Sequence, residues 1–271
     1  MGVLNVTPDS FSDGGRYLDP GRAMDQLHRL ADQGAHIIDV GGESTRPGSD
    51  PVPAAEQWRR IGPLLKRAAR EGPGCLLSVD TTDPAVAGRA LECGVAVIND
   101  ISALRGSRET ARLAAESGAG LILMHMAGTP KTMQRDPRYA DLLGEVRGEL
   151  QRSLEAACEL GVAREQIVCD PGIGFGKTLE HNLELIDGIP ALAPLGRPLL
   201  VGASRKGFIG RIVGEPVGRR LEGSLAAHVA AALAGAHMVR VHDVGPTVRA
   251  MKVVDAVLGR RTASVQEGDA P

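Results

Sequence analysis

Leu76-Leu77-Ser78-Val79-Asp80 and Val97-Ile98-Asn99 are two short aliphatic runs, each ending on a residue able to do chemistry, and between them Pro84 to Glu92 carries the spacing of one helix. Apolar runs without polar alternation have to be covered on both faces, as in a parallel sheet wrapped by helices. A strand, a crossover helix and a second parallel strand fit this segment. The polar residues then sit at the carboxyl ends of the strands.

The same unit recurs on both sides of this segment. Val3-Leu4-Asn5, Ile37-Ile38-Asp39, Leu121-Ile122-Leu123-Met124-His125, Ile167-Val168-Cys169-Asp170, Leu199 to Ser204 and Met238 to His242 are six further aliphatic runs with a polar end. Helical periodicity fills the intervals at Pro20 to Gln33, Ala54 to Arg70, Arg108 to Ser117, Leu142 to Leu160, Leu179 to Ile186, Arg220 to Ala234 and Thr247 to Leu258. In the longest, Leu142, Val146, Leu150, Leu154, Ala157 and Leu160 share one face, leaving Glu145, Arg147, Glu149 and Arg152 outward. Gly34, Gly94, Gly118, Gly161 and Gly235 each stop a helix before a strand. Eight β-α units in 271 residues predict an α/β chain folded as a single (β/α)8 TIM barrel, with the active site at the C-terminal ends of the parallel strands. A doubly wound open sheet has fewer strands and gathers its ligand at one switch point. The barrel domain is expected over residues 1–259, with a disordered polar tail at 260–271.

Composition narrows the function. An apolar fraction of 43% and a charged fraction of 24% are those of an ordinary globule. With one Trp, two Tyr and three Phe, the core must be aliphatic and an aromatic platform for base stacking is missing. A net charge of −2 without a basic run gives no footprint for nucleic acid or anionic lipid, so neither nucleic acid nor membrane is expected as a partner. Cys75, Cys93, Cys158 and Cys169 show neither CxxC spacing nor nearby paired histidines, and read as small hydrophobes in a reducing compartment. Met1 to Pro20 lacks a signal-like pattern and no window approaches about 18 continuous apolar residues, so a cytoplasmic location is expected.

Four stretches carry chemistry. Asn5 to Gly15 is a polar loop, with Phe11 near its middle, longer than a minimal βα connection, and such loops commonly act as lids. Gly41 to Ser49 holds Arg46 between hydroxyls and a Pro47-Gly48 turn, which suits an anion. Ordinary helix capping by Asp, Ser and Thr is the alternative for both. Asp170-Pro171-Gly172-Ile173-Gly174-Phe175-Gly176-Lys177-Thr178 fails as a nucleotide motif: Walker A requires Gly where Pro171 stands, and a Rossmann fingerprint requires Gly where Lys177 stands. What remains is a glycine-rich turn that lets backbone approach a flat ligand, or one shaped only for packing. Gly202 to Gly207 and Arg240 to Asp243 follow strands seven and eight, where barrels often bind phosphate. Arg240 and His242, two apart on a strand, point to one side and can meet one anion.

Leu4-Asn5-Val6-Thr7-Pro8-Asp9-Ser10-Phe11-Ser12-Asp13-Gly14-Gly15 and Gly42-Glu43-Ser44-Thr45-Arg46-Pro47-Gly48 closely resemble the two signatures of the dihydropteroate synthase family. Ser78-Val79-Asp80-Thr81, Ile98-Asn99-Asp100, Asp170-Pro171-Gly172, Gly202 to Lys206 and Arg240 to Asp243 are similar to the family's later motifs in the same order, so the resemblance spans residues 2 to about 258.

The resemblance implies joining of p-aminobenzoate to the methylene of 6-hydroxymethyl-7,8-dihydropterin diphosphate, with release of pyrophosphate by dissociative substitution. A pterin's aminopyrimidinone edge needs carboxylates, an amide and a cation when buried. Asp80, Asn99, Asp170 and Lys206 are implied there, with Gly202 beside them and Met124 and Phe175 as apolar walls. The implied diphosphate set is Asn5, Thr45, Arg46, Arg240 and His242; Arg46, Arg240 and His242, together with Lys206 of the pterin set, are implied in catalysis. Asn5 is the implied ligand of Mg2+, which leans on substrate phosphate and water for the rest of its shell. Phe11, Thr45, Pro47 and Ser204 would meet p-aminobenzoate, although Ser204 also suits the N-cap of the following helix. A homodimer is implied as well.

Several features depart from the pattern. Family members usually carry residues before the first strand, Gly172-Ile173-Gly174 replaces a commoner Gly-Phe-Gly, and Thr82-Asp83-Pro84 is a variant. His125 has no role beyond structure, and His28, His36, His181, His228 and His237 receive no functional reading. A pterin-dependent corrinoid methyltransferase domain and a catalytically silent pterin-binding paralogue are the rivals. The first would not need the Phe11 lid, the Ser44 to Pro47 loop or Ser204 to Lys206; the second would have lost Arg46, Lys206 or Arg240, and all are present.

Overall fold

Eight parallel strands close on themselves. The computed structural model describes residues 1–7, 20–45 and 48–260. The strands are β1 (Gly2–Asn5), β2 (Ile37–Gly41), β3 (Leu76–Asp80), β4 (Val97–Asp100), β5 (Gly120–Met124), β6 (Ile167–Asp170), β7 (Leu200–Val201) and β8 (Met238–Val239). β1 to β6 pair consecutively and β7 pairs with β8. Single parallel bridges, Cys169 to Leu199 and Gly2 to Val241, join these two pieces. The second seam is stitched by Val3 N–H to Val241 O at 2.9 Å and Val241 N–H to Met1 O at 2.9 Å. The closed (β/α)8 barrel read from the eight punctuated runs is therefore present.

Helices α1 (Pro20–Asp32), α2 (Ala54–Glu71), α3 (Pro84–Glu92), α4 (Glu109–Ser117), α5 (Leu142–Glu159), α6 (Leu179–Asp187), α7 (Gly207–Val213), α8 (Leu221–Leu233) and α9 (Val244–Val257) surround it. One of them, α7, was not expected: its seven residues are too few for a periodic signal, and three of them are Gly or Arg. The five stop glycines all have positive φ. On α5, Leu142, Val146, Leu150, Leu154 and Ala157 are buried as their spacing requires. Glu149 stays partly exposed, with its carboxylate 3.3 Å from Nε2 of His125, the residue that follows β5.

The main core lies between strands and helices and is aliphatic, with Leu27, Leu64, Leu65, Leu121, Leu154 and Leu185 among its fully enclosed side chains. Burying each such chain contributes about 1.5–3 kcal/mol. Among the cysteines only Cys169 is fully buried; Cys75, Cys93 and Cys158 are half-buried and all four are free. No helix among the described residues is long and apolar enough to cross a membrane.

Polar side chains fix the loops that follow the strands. Asp83 caps α3, accepting from Ala85 N–H at 2.8 Å and Val86 N–H at 3.2 Å. After β4, Asp100 accepts from Ser102 N–H at 2.8 Å, Ser102 Oγ at 2.6 Å and Thr110 Oγ1 at 3.0 Å. That clamp holds Ala103 and Leu104 at φ 48° and 68°, backbone that non-glycine residues seldom adopt.

Leu121→Ala is expected to cost about 2–5 kcal/mol through a cavity in the barrel layer, and Asp83→Ala about 1 kcal/mol through a lost cap. Urea midpoints check both, and equal losses would contradict the division between core and cap.

Candidate active site

In the strand register, Asn5 stands beside Gly41, Gly41 beside Asp80, and Asp80 beside Asn99, so four successive strands deliver one lateral row at the C-terminal mouth. Gly41 leaves room in that row. A Cβ there would stand 2.9 Å from Asn5 Oδ1 and 3.5 Å from Asp80 Cβ. Two residues deeper on β2, Asp39 faces the same interior.

Arg240 enters the row from the end of β8, which borders β1 at the barrel seam. Its Nε donates to Asp39 Oδ2 at 2.7 Å and its Nη2 to Asp80 Oδ2 at 2.7 Å. Asn99 Nδ2 donates to the same Asp39 oxygen at 2.9 Å. Because a carboxylate only accepts, Asn99 is held with its amide carbonyl turned away from Asp39. Burial acts to lower the Arg240 pKa, and the charges of Asp39 and Asp80 override it, holding the guanidinium above its usual value. Asp80 is pushed upward by burial, against the pull of Arg240 and with the push of Asp39. Asp39 Oδ1 and Asp80 Oδ1 are buried acceptors without a partner. Arg240 is thus shared between two carboxylates, a commitment its strand position alone did not reveal.

A second wall rises from β6. Asp170 Oδ1 accepts from Gly172 N–H at 2.7 Å. Burial raises its pKa to about 6, against that hydrogen bond and the positive charges of Lys206 and Arg240. Lys206 lies with its Nζ 3.9 Å over the Phe175 ring, and Gly174, at φ +81°, makes way for it: a Cβ there would meet Lys206 Cδ at 2.9 Å. Burial lowers Lys206 to about 8, with Arg240 adding to that effect and Asp170 opposing it. Phe175 and Met124 join Ile101, Met126 and Met133 in an apolar cluster separate from the main core. The last three were missed by sequence reading, since they lie in loops without periodicity. Gly202 sits beside the Arg240 stem, where a Cβ would come 3.7 Å from Arg240 Cβ.

Around the rim, Ser204 does not cap α7, whose N-cap is Lys206 without a side-chain bond. Its Oγ instead lies 3.1 Å from His242 N–H and 3.0 Å from His242 Nδ1. In the tautomer where the hydroxyl donates to Nδ1, the His242 proton sits on Nε2, where it can serve an anion. Desolvation, then the charges of Arg240 and Arg205, lowers the pKa of His242, although the side chain keeps an exposed edge at the mouth. Arg205 is turned away onto Asp243 in a two-pronged pair at 2.9 and 2.5 Å. Glu43 anchors the loop after β2, accepting from Val52 N–H at 2.9 Å and Gln57 Nε2 at 3.2 Å. Thr45 follows it, half-buried. Phe11, Arg46 and Pro47 lie outside the described residues.

Behind the Gly172 turn, Lys177 Nζ is buried 3.0 Å from His125 Nδ1 and 3.0 Å from Phe175 O. Asp39 and Lys177 are the two charged residues that the sequence left without a role. For Asp39 the available signal was a carboxylate inside an aliphatic strand; Lys177 gave only the failed Walker pattern.

A closed parallel barrel whose mouth presents buried acids, an amide and cations beside an apolar wall is a barrel enzyme built to seat a flat polar heterocycle, and the family model described as pterin binding enzyme matches residues 1–242. The dihydropteroate synthase of Escherichia coli strain K12 is 44% identical over 263 residues, covering 96% of this chain and 92% of that protein. The chain belongs to the dihydropteroate synthase family. Among solved structures, the Yersinia pestis dihydropteroate synthase in a sulfonamide drug complex superposes with a TM-score of 0.91 at 42% identity, covering 96% of this chain and 94% of that one. The Xanthomonas albilineans dihydropteroate synthase in complex with 7,8-dihydropteroate gives 0.84 at 39% identity, covering 95% and 92%.

Asp39→Asn removes the negative charge and leaves one neutral acceptor for the two donors, Arg240 and Asn99, that share Asp39. It is expected to weaken pterin binding by about ten- to a hundredfold, as loss of charge-assisted hydrogen bonds does, while the fold persists. Calorimetric titration checks this, and wild-type affinity would contradict the anchoring role.

Proposed function

We propose that the protein condenses 6-hydroxymethyl-7,8-dihydropterin diphosphate with p-aminobenzoate to 7,8-dihydropteroate and pyrophosphate, a step of folate biosynthesis. One observation carries the reading most directly. Asp39 Oδ1 and Asp80 Oδ1 are buried acceptors without partners beside an apolar wall, and an unmet buried acceptor costs about 1–3 kcal/mol until a donor arrives. The N–H groups of an aminopyrimidinone are suitable donors for this end of the pit.

Asp80 and Asp170 accept from the pterin, Asn99 presents its amide carbonyl, and Lys206 donates across the ring held against Phe175, Met124 and Gly202. The diphosphate then projects toward Arg240, His242 and Thr45, and the family resemblance assigns Arg46 to it as well. As the methylene C–O bond breaks, its electron pair leaves on the pyrophosphate oxygen, and the electron-rich ring stabilises the cation left behind. Positive groups fixed at the mouth stabilise the departing charge without reorganising. The neutral arylamine attacks the methylene with its lone pair and loses one proton. It needs no strong base. Phe11, Pro47, Thr45 and Ser204 are assigned to p-aminobenzoate; because the Ser204 hydroxyl is engaged by His242, its contact with the carboxylate requires that bond to open.

A divalent cation fits the mouth in one respect. Asn5 offers a hard amide oxygen over the space kept by Gly41, while no cluster of three His, Cys, Asp or Glu stands ready among the described residues. Asn5, substrate phosphate and water would hold Mg2+, which supplies neutralisation of the leaving group's charge. We assign the barrel to residues 1–259 and the protein to the cytoplasm as a homodimer.

Purified protein with magnesium is expected to convert both substrates to dihydropteroate and pyrophosphate in equal amounts, with sulfonamides competing against p-aminobenzoate. Pterin binding without turnover would overturn the enzyme reading in favour of a silent binder. Affinity for 6-hydroxymethyl-7,8-dihydropterin should also be bell-shaped. Below about 7 Asp80, and below about 6 Asp170, gain protons and lose acceptor strength, and above about 8 Lys206 loses its charge. Calorimetry from pH 5 to 9 reads both limbs, and a flat profile would contradict the assignment of these groups.

A further inference from the structure

The turn from Gly172 to Thr178 is the pterin wall in the reading above, and a buried charge stands behind it. Lys177 is 3% exposed. Its Nζ contacts Phe175 O and His125 Nδ1, each at 3.0 Å. It also lies 3.4 Å from the place a Gly172 side chain would take, directly beneath the turn whose Gly172 N–H binds Asp170. His125 is 2% exposed and uses Nδ1 as acceptor for the ammonium, so its proton resides on Nε2, 3.3 Å from Glu149 Oε2. The approach is off the axis of a hydrogen bond, and Nε2 has no such partner.

The surroundings bear on charge as well as shape. Burial lowers Lys177 to about 7; Asp170 and Glu149 favour the ammonium, while Lys206 and Arg105 oppose it. His125 is held down near 3 by burial, then by Lys177 and Arg105, and remains neutral. Tyr139, pushed up to about 12 by burial with help from Glu149 and Glu145, stays protonated and donates to Gly176 O at 2.8 Å. Lys177 thus adds a positive charge beneath the turn whose Gly172 N–H binds Asp170, while Lys206 lies over the Phe175 ring. An isolated buried ammonium is costly, and an uncharged side chain would serve if packing alone were required.

We propose that Lys177 is a positioning residue for the pterin: linked to His125 and to the Phe175 carbonyl, its ammonium keeps Asp170 ionised and the Gly172 to Thr178 wall closed on the ring. This rests on the reading of Asp170 as a pterin acceptor. In that role the Lys177 charge acts through Asp170, and the strand-five histidine gains a purpose, which is to seat that charge.

The test is calorimetric binding of 6-hydroxymethyl-7,8-dihydropterin across the acid limb for the full-length protein, Lys177→Met, Lys177→Arg, Asp170→Asn and the Lys177→Met/Asp170→Asn double variant. Lys177→Met should weaken binding about tenfold at neutral pH and move the acid limb up by about one unit, the effect of removing a nearby opposite charge. Lys177→Arg should restore the limb to its original place. In the Asp170→Asn background, Lys177→Met should cost less than about threefold, since the two act through one charge. An unmoved limb, or a full tenfold loss without Asp170, would show a packing role only and overturn the proposal. Should Lys177→Met fail to fold, Lys177→Gln decides: a limb raised by about one unit supports the proposal and an unmoved one overturns it. Absence of binding by the unaltered protein would instead fault the pterin site itself.

Discussion

The guanidinium of Arg240, shared by two buried carboxylates, is the interaction on which the site's geometry depends. Asp39, Asp80 and Asn99 come from three different strands, and only the common bonds through Asp39 and Arg240 fix their relative orientation. Two acids side by side in a barrel interior would repel until one took up a proton, were no cation between them. A cation there without acids would be equally costly. The combination keeps charge within the barrel and leaves each acid one oxygen for a ligand.

The molecule therefore has two interiors with different tasks. Outside the strands, leucines and other aliphatic chains supply the burial that holds the barrel closed. Inside, at the C-terminal mouth, polar side chains from distant strands replace apolar packing, at a cost in stability that the outer core offsets. The small cluster of Ile101, Met124, Met126, Met133 and Phe175 lies between the two tasks: apolar, yet placed against the polar row. Methionine suits such a wall because its unbranched, polarisable chain adapts to a flat ring.

The barrel was legible because parallel strands buried on both faces leave uninterrupted aliphatic runs, and each run stops where the chain leaves the sheet. That placed Asn5, Asp80, Asn99 and Asp170 at the mouth before any contact was known, and the register shows the first three in one row. Contacts across the barrel were not legible. The Arg240 to Asp39 pair joins residues 201 positions apart, and the Lys177 to His125 pair spans 52; no local period encodes either. Ser204 illustrates the same limit, since its position allowed a cap or a ligand contact and the structure spends it on His242. α7 escaped because seven residues hold too little periodicity to stand out. Phe11, Arg46 and Pro47 rest on sequence resemblance alone.

The most direct measurement of the central claim is a crystal structure of the protein with bound 6-hydroxymethylpterin. The account predicts the aminopyrimidinone edge between Asp80, Asn99 and Asp170, its N–H groups facing the free carboxylate oxygens, with Arg240 still on Asp39. A pterin seated elsewhere, or an Arg240 that releases Asp39 when the ring arrives, would contradict it.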